Sequence, residues 1–352
     1  MLGCLMLLIN LSLMLQKNDQ YTVTIIGLGN IGLLYDLNRG KDSKEFLTHT
    51  RSVFFHKNFK LTYLIDSDLK KLDLAKEKYG HDIIYLTNIN HNYHPTDIIV
   101  LSSVPMVNSM YLNKLKINHE VKFFLIEKPF LNQNEKISNY EAILKKSYIN
   151  YYRKSLPFFK KLRRNIDNRK FGNLIGVNVF YSKGLSNNGS HLIDLMNFFF
   201  KSSYNLNSIK IINYKNDYSA DDESVTFSVD YKYNSLPFTT IFHALDERKF
   251  SLIELDLFFE KSRFRIYDFG GKIEIYKVDN DKVFSGYNNL VSTSVESSDI
   301  DSYGKHTYQT IYNILKGEEL NYSTLNDELK IYKLKENILK KLSKFKKKSR
   351  YE

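Results

Sequence analysis

Two residues in this 352-residue chain stand where protons can be moved. His191 lies in "LSNNGSHLIDL", at the head of a short amphipathic helical pattern, and an imidazole titrates near neutral pH. A proton-transferring histidine usually has a carboxylate behind it. Here Asn187 and Asn188 stand upstream, and Asp194 follows one helical turn later. An asparagine offers the ring only a neutral hydrogen bond and cannot stabilise an imidazolium by charge. Lys128 lies in "FFLIEKPF", after an apolar strand and before a proline. It reads either as a solvated lysine at a domain joint or as a cation held in a cleft. In the second role it would stabilise a developing alkoxide.

Such chemistry needs a hydride carrier, and "YTVTIIGLGNIGLLYDL" supplies a place for one. A β-branched run (22–26) passes into Gly27-x-Gly29-x-x-Gly32 and then into an apolar helical pattern. A strand before the glycines and a helix after them is the context a dinucleotide-binding loop requires. Gly27 allows the tight turn, Gly29 leaves room for a pyrophosphate, and Gly32 lets helix and strand pack closely. Asn30 and Ile31 complete the cradle, with the helix N-terminus supplying unpaired N–H groups. The strand in "FKLTYLIDSDLKK" ends at Asp66, placed to hold ribose hydroxyls. It comes later than the usual ~20 residues, and the polar insert at 38–59 accounts for the excess. A carboxylate there repels a 2′-phosphate and favours NAD over NADP. Capping the next helix is an alternative role for Asp66, and the two are compatible.

Two further strands, "DIIYL" and "DIIVLSS", follow, and the second runs into a turn carrying Ser103 and Pro105. Ligands of doubly wound sheets sit at the carboxyl ends of parallel strands, so both residues are candidate cofactor contacts. A helix at about 106–117 then leads to the strand that ends in Glu127 and Lys128. Tyr181 and Lys183, two apart on a strand, share a face. They read as a pair for a sugar hydroxyl or an anionic group, or as an unremarkable amphipathic face. From 208 to 277, short alternating strands predict a large, mainly antiparallel open sheet.

The bulk composition sets limits. One cysteine, Cys4, excludes an intrachain disulfide and a cysteine metal cluster, and suits a reducing cytoplasm. Histidine spacings match no ligand motif, so no metal is expected. Much of the net charge of +12 sits in "KENILKKLSKFKKKSRYE", which reads as a solvated basic tail, and the rest is scattered. No nucleic-acid-binding module accompanies it, so no nucleic-acid partner is expected. The apolar leader "MLGCLMLLINLSLML" is shorter than the ~20 residues of a membrane span. It also lacks the flanks of a signal peptide. Residues 1–20 are therefore expected to lie outside the fold, as an extraneous start, a membrane-surface anchor or an extra helix.

Glycine loop, acid after the second strand, proline turn and Glu127–Lys128–Pro129 occur in an order that resembles the Gfo/Idh/MocA oxidoreductases. These are the glucose–fructose oxidoreductase and inositol 2-dehydrogenase group. The likeness runs from 21 to about 340. It implies a Rossmann domain (21–129), an α+β substrate and oligomerisation domain (130–304), and C-terminal helices packing back near the Rossmann domain (305–352). It further implies that Lys128 touches both nicotinamide and substrate, with Glu127 beside the cofactor. "YINYYRKSLPFF" is similar to the family's aromatic-basic landmark, with Tyr152 and Arg153 at matching places. "NNGSHLID" is similar to the family's D-x-G-x-H-x-x-D, with Gly189, His191 and Asp194 matching and Asn187 replacing the first aspartate. The implied substrate contacts are Lys128, Tyr152, Arg153, Tyr181, Lys183, Asn187, Asn188, His191 and Asp194.

The resulting expectation is an NAD(P)-dependent reaction on a secondary alcohol or ketone of a sugar or nucleotide-linked sugar. Lys128 would polarise the oxygen and His191 would act as acid and base, in a homodimer or homotetramer formed through the second sheet. With Asn187 in place of aspartate, Lys128 or Tyr181 are alternative proton carriers. The rival readings are a reductase of a non-sugar substrate and a sensor or scaffold that binds cofactor without turnover.

Overall fold

A computed structural model describes residues 20–91, 93–115, 120–130, 137–201, 203–319 and 325–348. The apolar leader with Cys4, and the last residues of the basic tail, lie outside the described residues. Two sheets organise the chain. The first is six-stranded and wholly parallel, in the order β3-β2-β1-β4-β5-β6. Its strands are β1 (Tyr21–Ile26), β2 (Phe59–Ile65), β3 (Ile84–Leu86), β4 (Ile98–Leu101), β5 (Phe123–Ile126) and β6 (Ser147–Ile149). β4 and β5 are buried along their whole length, as strands covered on both faces must be. The order reverses between β1 and β4, and at that switch point a doubly wound sheet opens a crevice. The turns after β1, β4 and β5 all reach it.

Three features of this half depart from the sequence reading. β6 lies in the run expected to enter the second domain as a strand, but it pairs with β5 and extends the first sheet beyond Glu127–Lys128. The apolar run after the glycine loop forms one wide turn and a single 3-10 turn at Leu34–Asp36, not a continuous helix. The polar insert is the third. It folds into helix α1 (His49–Phe54), with Thr48 as its N-cap and residues 49–53 buried. The N–H groups of His49 and Thr50 donate to Ile31 O and Gly32 O at 2.9 and 3.1 Å. Helix α1 thus takes up carbonyls that a continuous helix would have used itself. Buried Arg51 holds the inserted loop by donating to the carbonyls of Glu45, Ser43 and Lys41 at 3.0, 2.9 and 3.3 Å.

Helices α2 (Leu69–Tyr79) and α3 (Pro105–Leu115) follow β2 and β4. The second sheet has nine strands, in the order β15-β14-β13-β12-β7-β11-β10-β8 with β9 on β10. They are β7 (Leu174–Tyr181), β8 (Ser203–Tyr204), β9 (Lys210–Ser219), β10 (Asp222–Tyr233), β11 (Leu236–Ala244), β12 (Ile253–Phe259), β13 (Ser262–Tyr267), β14 (Lys272–Asn280) and β15 (Asn288–Ser297). Only β7 and β11 pair in parallel among the described pairings, so the sheet is mixed but mainly antiparallel. β12 alternates buried and half-buried residues along its length, the mark of a sheet covered on one face. β15 is almost wholly exposed, which explains why "NNLVSTSVES" shows no core pattern.

Helices α4 (Pro157–Asp167) and α5 (Ser190–Phe200) pack against each other inside this half, with Phe159 and Phe199 stacked at 5.9 Å. α5 is amphipathic as expected, with Ser190, His191, Asp194 and Asn197 along one stripe, but that polar stripe is buried as well, Asp194 meeting the buried Lys154 ammonium. Of the two C-terminal helices, α6 (Tyr303–Leu315) sends Tyr308 and Ile311 into the core of the first sheet. The longer α7 (Leu325–Lys348) instead buries Ile331, Leu334, Ile338 and Leu342 in the core shared with the second sheet. No described helix is long and apolar enough to cross a membrane.

Candidate active site

The glycine loop is shaped by contacts that no side chain permits. Gly27 has φ of 96°, and a Cβ there would lie 2.7 Å from Ser103 N in the turn after β4. A Cβ on Gly32 would lie 2.1 Å from Gly27 O, whereas one on Gly29 would meet nothing within 4 Å. Two glycines therefore let backbone meet backbone, and the third leaves an open face. Asn30 and Ile31 complete the turn, with Asn30 O accepting from Tyr35 N at 3.1 Å. Asp66, at the end of β2, accepts the Leu28 N–H at 2.6 Å through Oδ2 and the Asp68 N–H at 2.9 Å through Oδ1. Its carboxylate is thereby held at the loop's edge, and the helix cap falls to Asp68, which accepts from Lys70 N. Ser103 is pinned to Asn108, its hydroxyl lying 2.5 Å from Asn108 Oδ1. Pro105 begins α3.

Glu127 and Lys128 leave β5 at the same crevice. Glu127 is buried, and its Oε1 accepts from His49 Nε2 at 3.0 Å and from Asn150 Nδ2 at 2.5 Å. His49 escaped the sequence reading because it sits inside a run read only as a polar insert. Thr48 and the apolar residue five positions later, Val53, were its available signal. The Lys128 ammonium donates to Asn187 Oδ1 and, at 3.4 Å, to Asn187 O. Burial drives this ammonium down to about 8, with the Glu127 charge opposing the fall and Arg153 adding to it. Lys128 is therefore no solvated lysine.

His191 heads α5, as expected, but its surroundings are not those of a charged acid–base. The ring is 5% exposed and lies edge-on to Tyr151 and Tyr152, at 5.3 and 5.6 Å. Burial pushes its pKa well below the usual value, and the cations Lys128, Arg153 and Lys154 add to the effect. Asn187, whose Oδ1 is engaged by Lys128, does not orient the ring. Asp194 does not either. Its Oδ1 accepts from the buried Lys154 ammonium at 2.8 Å. Among the described residues, His191 Nδ1 has no hydrogen-bond partner.

Several expected substrate contacts are turned into the protein. Tyr181 is fully buried, and its hydroxyl donates to Val225 O at 2.7 Å and accepts from Val225 N at 2.9 Å. Lys183 does not share its face, because β7 ends at Tyr181 and Lys183 adopts φ of 69°, where the two-residue alternation of a strand no longer holds. Its ammonium lies over the Tyr218 ring at 5.3 Å, at the cleft's rim. Arg153 is buried and donates through Nε to Phe269 O at 2.9 Å, bracing a turn in which Phe269 and Gly270 both have positive φ. Asn188 is buried away from the cleft. Tyr152 stacks on Tyr303 at 4.4 Å.

What remains is a cleft of about 590 Å³ with Lys128, Tyr151, Ser186 and Asn187 on one side and α7 on the other. Asp222 shapes its mouth, accepting from Ser186 N at 2.7 Å and Asn187 N at 2.9 Å. Glu328 on α7 lines the far wall, and burial pushes its carboxyl up to about 8. Lys335 joins it there, its ammonium depressed by burial and supported by Asp222 and Glu328. Asp222, Glu328 and Lys335 were not foreseen, because only folding brings β10 and α7 across from β5.

The fold matches solved structures. A dehydrogenase from Chromobacterium violaceum aligns with a TM-score of 0.70 at 14% identity, covering 95% of this chain and 98% of that one. The fold is that of the two-domain oxidoreductases. An oxidoreductase from Agrobacterium radiobacter, in complex with NAD+, L-tartaric acid and magnesium, aligns with a TM-score of 0.64 at 11% identity. That alignment covers 91% of this chain and 96% of that one. A variant of KijD10, a 3-ketoreductase from Actinomadura kijaniata in complex with TDP-benzene and NADP, aligns with a TM-score of 0.62 at 10% identity. It covers 90% and 96% of the two chains. No protein-family model and no curated protein sequence matches the chain.

A dinucleotide fits the residues present. Gly29 leaves the loop's outer face open, Gly27 and Gly32 let the loop pack closely on the backbone beneath it, and Asp66 presents a carboxylate at its end. Lys128 stands at the opposite end, where the crevice meets the cleft.

Proposed function

We propose that this chain is a nicotinamide-dependent oxidoreductase acting on a secondary alcohol or ketone of a sugar or nucleotide-linked sugar, with NAD preferred to NADP. One observation carries the reading. The ammonium of Lys128, half-buried at the carboxyl end of β5, lines the cleft and is held by a neutral asparagine, with no carboxylate within salt-bridge distance among the described residues. The nicotinamide group, when bound, supplies hydride transfer. Gly27, Gly29, Asn30, Ile31, Gly32, Asp66, Ser103 and Pro105 would hold the dinucleotide. Lys128 binds the substrate oxygen. With a pKa near 8 it exists in both protonation states around neutral pH, so it takes the hydroxyl proton in one direction and returns it in the other. His191, a neutral imidazole, offers a hydrogen bond and leaves proton transfer to Lys128. Tyr151 and Asn187 orient the lysine and the substrate against it. Exposed Leu290, Val291 and Val295 on β15 support association of two or four copies through the second sheet.

The test is calorimetric titration with NAD and NADP, followed by hydride transfer to free sugars, nucleotide-linked sugars and non-sugar ketones. Failure to bind either cofactor overturns the proposal. The lack of a carboxylate behind His191 favours a second reading, a cofactor-binding sensor. It predicts tight NAD binding with no turnover on any of these substrates.

A further inference from the structure

The hydrogen bonds to Glu127 continue beyond it. His49 Nε2 meets Glu127 Oε1 at 3.0 Å, and His49 Nδ1 meets the Tyr308 hydroxyl at 3.1 Å. All three side chains are buried, at 3%, 7% and 0% exposure for His49, Glu127 and Tyr308. A carboxylate oxygen only accepts, so Nε2 carries a proton; in the neutral ring Nδ1 then accepts and the tyrosine hydroxyl donates. One tautomer satisfies the whole chain. The His49 N–H also donates to Ile31 O in the glycine loop at 2.9 Å. Tyr308 belongs to α6, which follows the entire second sheet in sequence.

We infer that His49 is a positioning residue, whose imidazole fixes the Glu127 carboxylate beside Lys128 and so ties the glycine loop and the returning helix α6 to the reacting lysine. This rests on the reading of Lys128 as that lysine. The charges facing Lys128 are Glu127 and Asp222, which favour its protonated form, and Arg153 and Lys183, which oppose it. Glu127 is the strongest of the four, so its placement sets the balance. Without the His49 N–H the carboxylate keeps, among the described residues, only the Asn150 Nδ2 donor and is free to turn away from Lys128, which weakens its support for the ammonium.

The test is a pH titration of the Lys128 side-chain carbon resonance in the full chain, assigned by its loss in Lys128→Arg. Glu127→Gln is expected to raise the acid dissociation constant of Lys128 at least about threefold, the effect of removing one nearby charge. His49→Leu is expected to do the same, and the double variant no more than Glu127→Gln alone. His49→Gln, which keeps an N–H donor, should restore most of the native value. A Lys128 titration unmoved in folded His49→Leu, or moved additively in the double variant, overturns the inference. Should His49→Leu fail to fold, Tyr308→Phe decides: it frees the tautomer and is expected to shift Lys128 in the same direction, and no shift overturns the inference. Since the readout requires neither cofactor nor turnover, a chain with this linkage and no hydride transfer would sink only the proposed activity.

Discussion

The side-chain oxygen of Asn187 accepts a hydrogen bond from Lys128, while His191, four residues further on, receives nothing from it. The position that resembles a histidine-orienting aspartate is therefore a lysine-holding asparagine. Asn187→Asp places a negative charge against the ammonium and raises its pKa above the present value of about 8. The midpoint of the pH–rate profile for alcohol oxidation should move to higher pH, and the rate at neutral pH should fall. A midpoint that stays put or moves down would contradict the pairing.

Lys128→Met removes both the oxygen-binding cation and the proton carrier. It is expected to lower kcat at least ~10²-fold, the scale of general acid–base catalysis. Affinity for NAD, measured calorimetrically, should change little, because the glycine loop and Asp66 are untouched.

His191→Asn separates two roles for the imidazole. If the ring only hydrogen-bonds the substrate, kcat falls but the pH–rate midpoint remains with Lys128. A histidine acting as base would take that midpoint with it. The ring's burial beside three cations argues for the first outcome.

The glycines make a paired prediction. Gly32→Ala forces a methyl group against Gly27 O and should lower both Tm and cofactor affinity. Gly29→Ala meets nothing in the protein, so Tm should hold while Kd for NAD weakens. Equal loss of Tm in both variants would deny Gly29 its place at the ligand face.

Tyr181→Phe deletes a buried hydroxyl that both donates to and accepts from the Val225 backbone. The expected cost is about 1–3 kcal/mol of stability by denaturant unfolding, because Val225 N–H and C=O lose their partner. KM should not move. A raised KM with unchanged stability would return Tyr181 to the substrate site.

The strand runs from β1 to β5, the glycine spacing, Asp66 and Lys128 were legible because each rests on local rules: β-branched runs, turn chemistry and a short motif in its strand context. Local rules failed where burial reversed a residue's apparent exposure. His49 and Arg51 lie in a run of polar letters, yet both are buried because a loop and α6 close over them. Tyr181 and Lys183 fit the period of a strand, but the strand ends between them.

By itself, the sequence determined the order of elements and the crevice at the head of the parallel sheet, since hydrophobic period and glycine placement act over a few residues. Only the tertiary structure decided the partners: Asn187 with Lys128, Asp194 with Lys154, Glu127 with His49 and Tyr308. The residues of each pair come from elements far apart in the chain. A polar group taken out of water must find whichever partner the packing brings within reach, and nothing in the local sequence specifies which one that is.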